Sequence, residues 1–278
     1  MIHSLSNDTA FVFMTNKIDP MVMDRFREIY SHTNNLTTWY VLIDAKTADI
    51  EREWLSYLRN NSLESVALTS FRIAEVAAEL SVNLFAPGRL IPGSAHLPLL
   101  WLSRKLTHKF YWFIEDDVVF TGNLGDLVKK FDSDDSALLC SHLASFGEIP
   151  KWPWWSTLKA PAEALRGSDP LKLVAKGFFP AYRISAKALF KILDYQRAGW
   201  AGHFEVLIPT ILRYSGLPVG DLNVHNAPPV YSSGALRPGE GLGSLSSLRF
   251  RPAISMQEIQ RFDRPLLFHP VKSLSSEQ

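Results

Sequence analysis

The sequence predicts an α/β fold, with a mostly parallel central sheet flanked by helices. Three observations predict it. The chain opens strand–helix–strand–helix, a rhythm that implies right-handed crossovers between parallel strands. Its most apolar segment, Phe110-Tyr111-Trp112-Phe113-Ile114, is strand-length and reads as the central strand. No long linker or internal repeat divides the 278 residues, a length that suits one large α/β domain over 1–278.

Each element follows from its local pattern. Phe11 to Met14 is an apolar run that stops at Thr15-Asn16 and predicts a buried strand. Asp19-Pro20 supplies a helix cap and a first-turn proline. Val22, Phe26, Ile29 and Tyr30 then recur at helical spacing. Trp39 to Ile43 predicts the second strand, with Asp44 at its end, and Ile50, Trp54, Tyr57 and Leu58 mark the second helix. Val66 to Thr69 reads as a strand and Phe71 to Leu84 as helical, before breaks at Pro87-Gly88 and Pro92-Gly93. A helix is expected from Ser94 to Thr107, with Leu97, Leu100 and Leu106 inward. Beyond the central strand, Val118-Val119-Phe120 leads into Thr121-Gly122-Asn123. Gly125 to Phe131 predicts a short helix and Ala137 to Ser141 a strand. Residues 146–170 read as irregular. Gly177 to Ile184 predicts another strand, and Ser185 caps a helix carrying Leu189, Ile192 and Leu193. Gly202-His203-Phe204-Glu205 opens a helix through Leu212. Residues 232–249, rich in Gly and Ser, are expected to form a mobile loop. The last apolar run, Leu266 to His269, is stopped by Pro270.

Composition excludes several classes. Twenty-nine basic side chains nearly balance twenty-eight acidic ones, which gives no reason to expect nucleic-acid or anionic-membrane binding. An apolar fraction of 46% is too high for a disordered chain. The single cysteine, Cys140, permits no intrachain disulfide and fits a reducing compartment. The segment Met1 to Ala10 lacks an apolar signal core, and no apolar stretch is long enough for a transmembrane helix, so the expectation is a cytoplasmic protein.

The chemistry concentrates at Glu115-Asp116-Asp117. Three adjacent carboxylates repel one another, and each resists ionising without a compensating cation. A divalent metal resolves that repulsion, and oxygen ligands suit Mg²⁺ or Mn²⁺. Strand alternation points Glu115 and Asp117 to one side and Asp116 to the other. The first two therefore face one ligand, while Asp116 makes a structural hydrogen bond or binds a ribose. Taken alone, the triplet also reads as an acidic turn that ends a strand. Thr15, Asn16 and Asp44 fall at other strand ends, where ligands collect in parallel sheets; the plainer reading makes them turn residues or caps.

With its flanks, Phe110-Tyr111-Trp112-Phe113-Ile114-Glu115-Asp116-Asp117-Val118 resembles the D-x-D region of glycosyltransferases of the GT-A fold, a Rossmann-related architecture, in an E-D-D variant. The resemblance implies a nucleotide-sugar-binding half over about 1–120 and an acceptor-binding half over 121–278. It implies a nucleotide-sugar donor, with UDP the common nucleotide of the fold, and a saccharide or other hydroxyl-bearing acceptor. In the same pattern, His269 resembles a late metal ligand that joins Glu115 and Asp117, and Lys272 a nearby cation for the diphosphate. Thr15, Asn16, Asp44 and Asp116 become nucleotide contacts. Glu205 takes the place of the base of inverting members. A helix N-terminus stabilises its anion, although the same physics describes an ordinary capping residue. His203 is an alternative base or an acceptor contact.

Trp152, Trp154 and Trp155 lie among prolines, and Trp154 and Trp155 are candidate stacking faces for an acceptor sugar; otherwise the cluster is an apolar plug under a loop. The 232–249 loop is expected to close over the donor, with Arg237 and Arg249 reaching phosphates. Two rival readings stand beside transfer of a sugar. One is a nucleotidyltransferase or other metal-dependent phosphate-ester enzyme. The other is a nucleotide-sugar-binding protein without catalysis.

Overall fold

The computed structural model describes residues 8–45, 48–85, 93–162, 170–223 and 246–272. Seven strands form one sheet: β1 (Thr9–Thr15), β2 (Thr38–Asp44), β3 (Ala67–Phe71), β4 (Phe110–Glu115), β6 (Leu138–Ser145), β7 (Ala175–Ser185) and β8 (Val219–Asp221), in the order β3-β2-β1-β4-β7-β6-β8. Pairings β2–β3, β1–β2, β1–β4 and β6–β8 are parallel; β7 runs against β4 and β6. This is the mostly parallel α/β sheet that the sequence predicts. The reversed strand matters for function. Because β7 enters where β4 leaves, its first residues lie at the carboxyl edge of the parallel strands, where ligands bind in sheets of this kind.

Side-chain alternation divides the core between two faces. On one face Val12, Met14, Leu42, Tyr111, Phe113 and Phe179 pack against α3 (Ile73–Leu80), α4 (Leu97–Ser103), α7 (Ala186–Arg197) and α8 (Phe204–Tyr214). On the other, Phe11, Phe13, Trp39, Val41, Trp112 and Ile114 pack against α1 (Pro20–Thr33), α2 (Ala48–Asn60) and α5 (Leu124–Lys130). Here Phe11 stacks on Trp39 at 4.6 Å, and Phe26 meets Trp39 and Trp54 edge-on at 5.6 Å each. Trp39 and Trp54 are thus core, as their strand and helix positions predict. The caps are the expected ones: Asp19 accepts from Met21 N, and Ser185 accepts from Ala188 N.

Some boundaries differ from expectation. The helix expected over 71–84 is Ile73–Leu80; Phe71 instead ends β3 in register with Asp44, and Ser81 closes the helix in a left-handed conformation. The helix expected over 94–107 is only Leu97–Ser103, because Pro98 sets its first turn and residues 104–106 turn away. The Trp-rich stretch is not wholly irregular: Pro153–Thr157 forms a turn of 3-10 helix, and Pro170 begins the one-turn helix α6 (Pro170–Leu173). Val119–Phe120 is a strand, β5, that pairs antiparallel with β9 (Leu267–Phe268). This pairing decides the site, because it lays the C-terminal segment along the residues that follow Asp117.

Candidate metal site

β4 delivers Glu115 and Asp117 to the carboxyl edge, and β9 brings His269 to meet them. Val271 N donates to the Asp117 carbonyl at 2.8 Å, and His269 N donates to Ser247 O at 2.9 Å. In this frame His269 Nε2 lies 3.4 Å from Glu115 Oε2 and 3.3 Å from Asp117 Oδ1. Ligand atoms of all three side chains lie within 4.8 Å of one another, close enough to hold one metal ion. His269 Nδ1 donates to the Arg249 carbonyl at 2.9 Å. That bond fixes the ring and leaves Nε2 turned to the carboxylates, the support that metal-ligating histidines ordinarily have.

Electrostatics agree with a site built for a cation. Burial alone would lower the His269 pKa, but hydrogen bonds and charge from Asp117 and Glu115 outweigh it and raise it to about 10. Without metal, the imidazolium is the local counter-charge. Burial, joined by the neighbouring Asp117 and Asp116, raises the Glu115 pKa from its ordinary value, against the pull of His269. Burial works the same way on Asp117, but His269, Lys17 and Lys272 outweigh it and hold Asp117 lower. The donor set of two carboxylates and one supported imidazole fits a first-row divalent ion.

Asp116 points the other way, as alternation predicts. It accepts from Thr15 Oγ1 at 2.7 Å and from Lys17 Nζ at 2.9 Å, and its carbonyl accepts from Arg25 Nη1 at 3.1 Å. It is 8% exposed, so it ties β1 to β4. The Thr15 hydroxyl also accepts from Lys17 N at 3.1 Å. Of the expected nucleotide contacts, Thr15 and Asp116 are thus bonded to each other. Asn16 and Asp44 are half-buried at the same edge, and Lys272 is exposed just past His269. Lys17 and Arg25 were not expected. The signal for Lys17 was available: a cation two residues beyond a predicted strand end.

Glu205 opens α8 at 9% exposure. Burial raises its pKa to about 7, with Glu115 pushing the same way and Lys176 and His269 opposing. It therefore lies within electrostatic reach of the metal cluster. His203 caps the same helix, its Nδ1 accepting from Glu205 N at 3.3 Å. Burial lowers its pKa to about 4, so the ring is neutral. With the Nδ1 lone pair used, Nε2 carries the proton and can only donate, which argues against His203 as the base.

Trp154 stacks on His203 with ring centroids 4.7 Å apart. Trp155 is instead the plug: it is 9% exposed, donates Nε1–H to Ile149 O at 2.8 Å and packs on Phe146 and Trp152. Gly202 makes this docking possible. Its φ is +145°, and a Cβ there would lie 2.9 Å from the Thr157 carbonyl. Thr157 Oγ1 then accepts from His203 N at 3.0 Å.

The expectation for Arg249 is overturned. Its guanidinium is buried, bound to both carboxylate oxygens of Glu258 (3.0 and 3.1 Å) and to the carbonyls of Pro252 and Ala253. It braces the segment whose carbonyl holds His269, and these four bonds turn the guanidinium to Glu258 and its own loop rather than to a phosphate. Residues 246–249 of the expected mobile loop are all buried. Arg237 and the rest of that loop up to 245 lie outside the described residues, as do both Pro-Gly dipeptides apart from Gly93. Among the described residues no helix is long and apolar enough to cross a membrane.

No protein-family model and no curated protein matches the sequence. Solved structures to which the chain is similar include a Bacillus anthracis protein described as a glucose-1-phosphate thymidylyltransferase, solved with sucrose, at 9% identity and TM-score 0.46, covering 77% of this chain and 85% of that one. Another is the mannosyltransferase PcManGT from Pyrobaculum calidifontis with GDP-Man and Mn²⁺, at 13% identity and TM-score 0.44 over 77% of this chain. This chain spans 54% of that protein's chain. An active-site mutant of LgtC is similar at 13% identity and TM-score 0.44, covering 76% of this chain and 72% of that one. At identities this low and scores this modest, the likeness assigns no activity to this chain.

Proposed function

We propose that the chain is a metal-dependent glycosyltransferase that moves a sugar from a nucleotide-sugar donor, UDP-linked, to an acceptor hydroxyl with inversion. The observation that carries the proposal is the convergence of Glu115, Asp117 and His269 on one point at the carboxyl edge of the sheet. Lys17 and Lys272 feel that point electrostatically, and the carboxylate of Glu205 lies within its field. In this reading residues 1–120 hold the nucleotide and 121–278 the acceptor, within one unit.

Glu115, Asp117 and His269 would hold a divalent ion, which when bound would supply positive charge against a departing diphosphate. An imidazole in the donor set favours Mn²⁺ over Mg²⁺. Lys272, exposed beside the cluster, adds a cation for the diphosphate, and Asn16 and Asp44 offer polar contacts at the nucleotide edge. Glu205 accepts the proton of the acceptor hydroxyl, which then attacks the anomeric carbon on the face opposite the leaving group. A pKa near 7 suits that duty. Trp154 and His203 form an aromatic face that carries the His203 Nε2–H donor, against which an acceptor ring can lie.

The test is a panel of nucleotide sugars and nucleoside triphosphates with Mn²⁺, scored by product. Release of a nucleoside diphosphate from a nucleotide sugar supports glycosyl transfer. Release of pyrophosphate from a triphosphate would make the chain a nucleotidyltransferase. Tight nucleotide-sugar binding without any turnover, even with a range of acceptors, would make it a binding protein.

A further inference from the structure

Lys176 lies at the start of β7, on the carboxyl edge, in register with Ala144 of β6. It is 1% exposed, yet among the described residues no carboxylate comes within 4.0 Å of Nζ and no acceptor hydrogen-bonds it. A buried ammonium without a partner is costly and is ordinarily neutralised by a counter-charge.

The groups around it supply charge only through space. Burial lowers the Lys176 pKa, and Glu205 and Asp221 oppose that without an ion pair to it. Asp221 on β8 turns its oxygens to Leu143 N and Asn223 N, at 2.9 Å each. Burial keeps the Cys140 thiol protonated and His142 neutral. The Trp152 ring centroid is 5.6 Å away, a weak cation–π contact. Glu205 on α8 feels Lys176 and is felt by it, yet the two form no ion pair. Both are buried, both lie at the same edge, and they are held apart. A molecule that accepts from Lys176 and donates to Glu205 would satisfy both. The chemistry that does so is an oxyanion beside a hydroxyl.

We infer that Lys176 receives an anionic group of the acceptor, a carboxylate or phosphate, so that the acceptor is an acidic saccharide whose attacking hydroxyl is presented to Glu205. This assignment rests on the transfer reading above. Trp152, which meets Trp155 in a T-shaped contact at 4.9 Å, lies on the side of the ammonium.

The experiment is a calorimetric titration of the full-length chain with glucuronate, glucose 6-phosphate and methyl glucoside, each with and without Mn²⁺ and UDP. Wild type should bind one of the two anions and discriminate against methyl glucoside. Lys176→Met and Lys176→Gln should weaken that anion by about tenfold or more, the usual cost of losing a hydrogen bond to a charged group. Methyl glucoside and UDP–Mn²⁺ affinities should not move. The preferred anion separates carboxylate from phosphate. Equal anion binding by wild type and both variants, or none by wild type, overturns the inference. So does a large fall in the melting temperature of both variants, which would make Lys176 part of the scaffold. Failure of wild type to bind UDP–Mn²⁺ while anion binding depends on Lys176 would remove the acceptor role and the transfer reading, and leave an anion site.

Discussion

Strand β7 carries a buried cation near each end, and the two are treated in opposite ways. Near its C-terminal end Arg183 donates to the carbonyls of Phe131 (2.6 Å), Asp134 (2.5 Å) and Ser136 (3.3 Å) and to the Asp134 carboxylate (3.1 Å), while lying 4.5 Å over the Phe110 ring. Near its N-terminal end Lys176 is as deeply buried and, among the described residues, has no hydrogen bond or ion pair and only the Trp152 ring at 5.6 Å. The difference teaches how to separate scaffold from site. Arg183 Nε alone lacks an acceptor, while both of its terminal nitrogens are bonded. A buried charge held by several acceptors belongs to the fold, and one with none marks the edge where a ligand completes the set. The acidic triplet divides along the same line. Asp116 is satisfied by Thr15, Lys17 and Arg25, whereas Glu115 and Asp117 share one imidazole.

Substitutions at the two ends of β7 should sharpen this contrast or break it. The largest effect belongs to the ligand edge. Glu205→Gln should lower turnover by about 10²–10⁴-fold, the typical worth of a general base, with UDP–Mn²⁺ affinity held. Steady-state rates and titrations on the same preparation would check both. Next, Arg183→Met should cost about 3–5 kcal/mol in urea unfolding, since it strands Asp134 and several carbonyls, while the chemistry per folded molecule stays intact.

A pH effect follows at Glu205. Its folded pKa of about 7 exceeds the ordinary 4.5. Between those values the folded chain keeps a proton that the unfolded chain has lost. The stabilisation is complete below pH 4.5 and is lost as pH rises through 7. Glu205→Gln should therefore exceed wild type in stability by about 3 kcal/mol at pH 8 and by little at pH 4.5, without added metal. A constant gap across that range would contradict the burial of this carboxyl. The smallest effect is Lys176→Met, which should leave stability unchanged or raise it by about 1 kcal/mol, because it removes an unpaired charge. If it destabilises as much as Arg183→Met, the contrast between the two ends fails.

The sheet was largely legible in the sequence. Phe11 to Met14, Trp39 to Ile43 and Phe110 to Ile114 are buried on both faces, and such strands show as unbroken apolar runs. Asp19 and Ser185 could be read because capping is local chemistry. The site was legible in part. Glu115, Asp116 and Asp117 announced themselves, and alternation gave their directions. What stayed hidden was long-range pairing. Nothing near Arg249 shows that Glu258 and two carbonyls absorb its donors, and nothing near Trp155 shows that Ile149 takes its N–H. Lys176 gave almost no signal, since a charge beside Gly177 reads as a strand's polar end. Only the antiparallel return of β7, with Glu205 opposite, makes it a buried group at the site.

The most direct test of the account is calorimetric titration of UDP into wild type, Asp117→Asn and His269→Ala, each with Mn²⁺ and with chelator. The account predicts tight binding in wild type only when Mn²⁺ is present, falling by about 10–100-fold in both variants, on the scale of disturbed metal sites. UDP binding that ignores Mn²⁺, or that survives both substitutions unchanged, would contradict it.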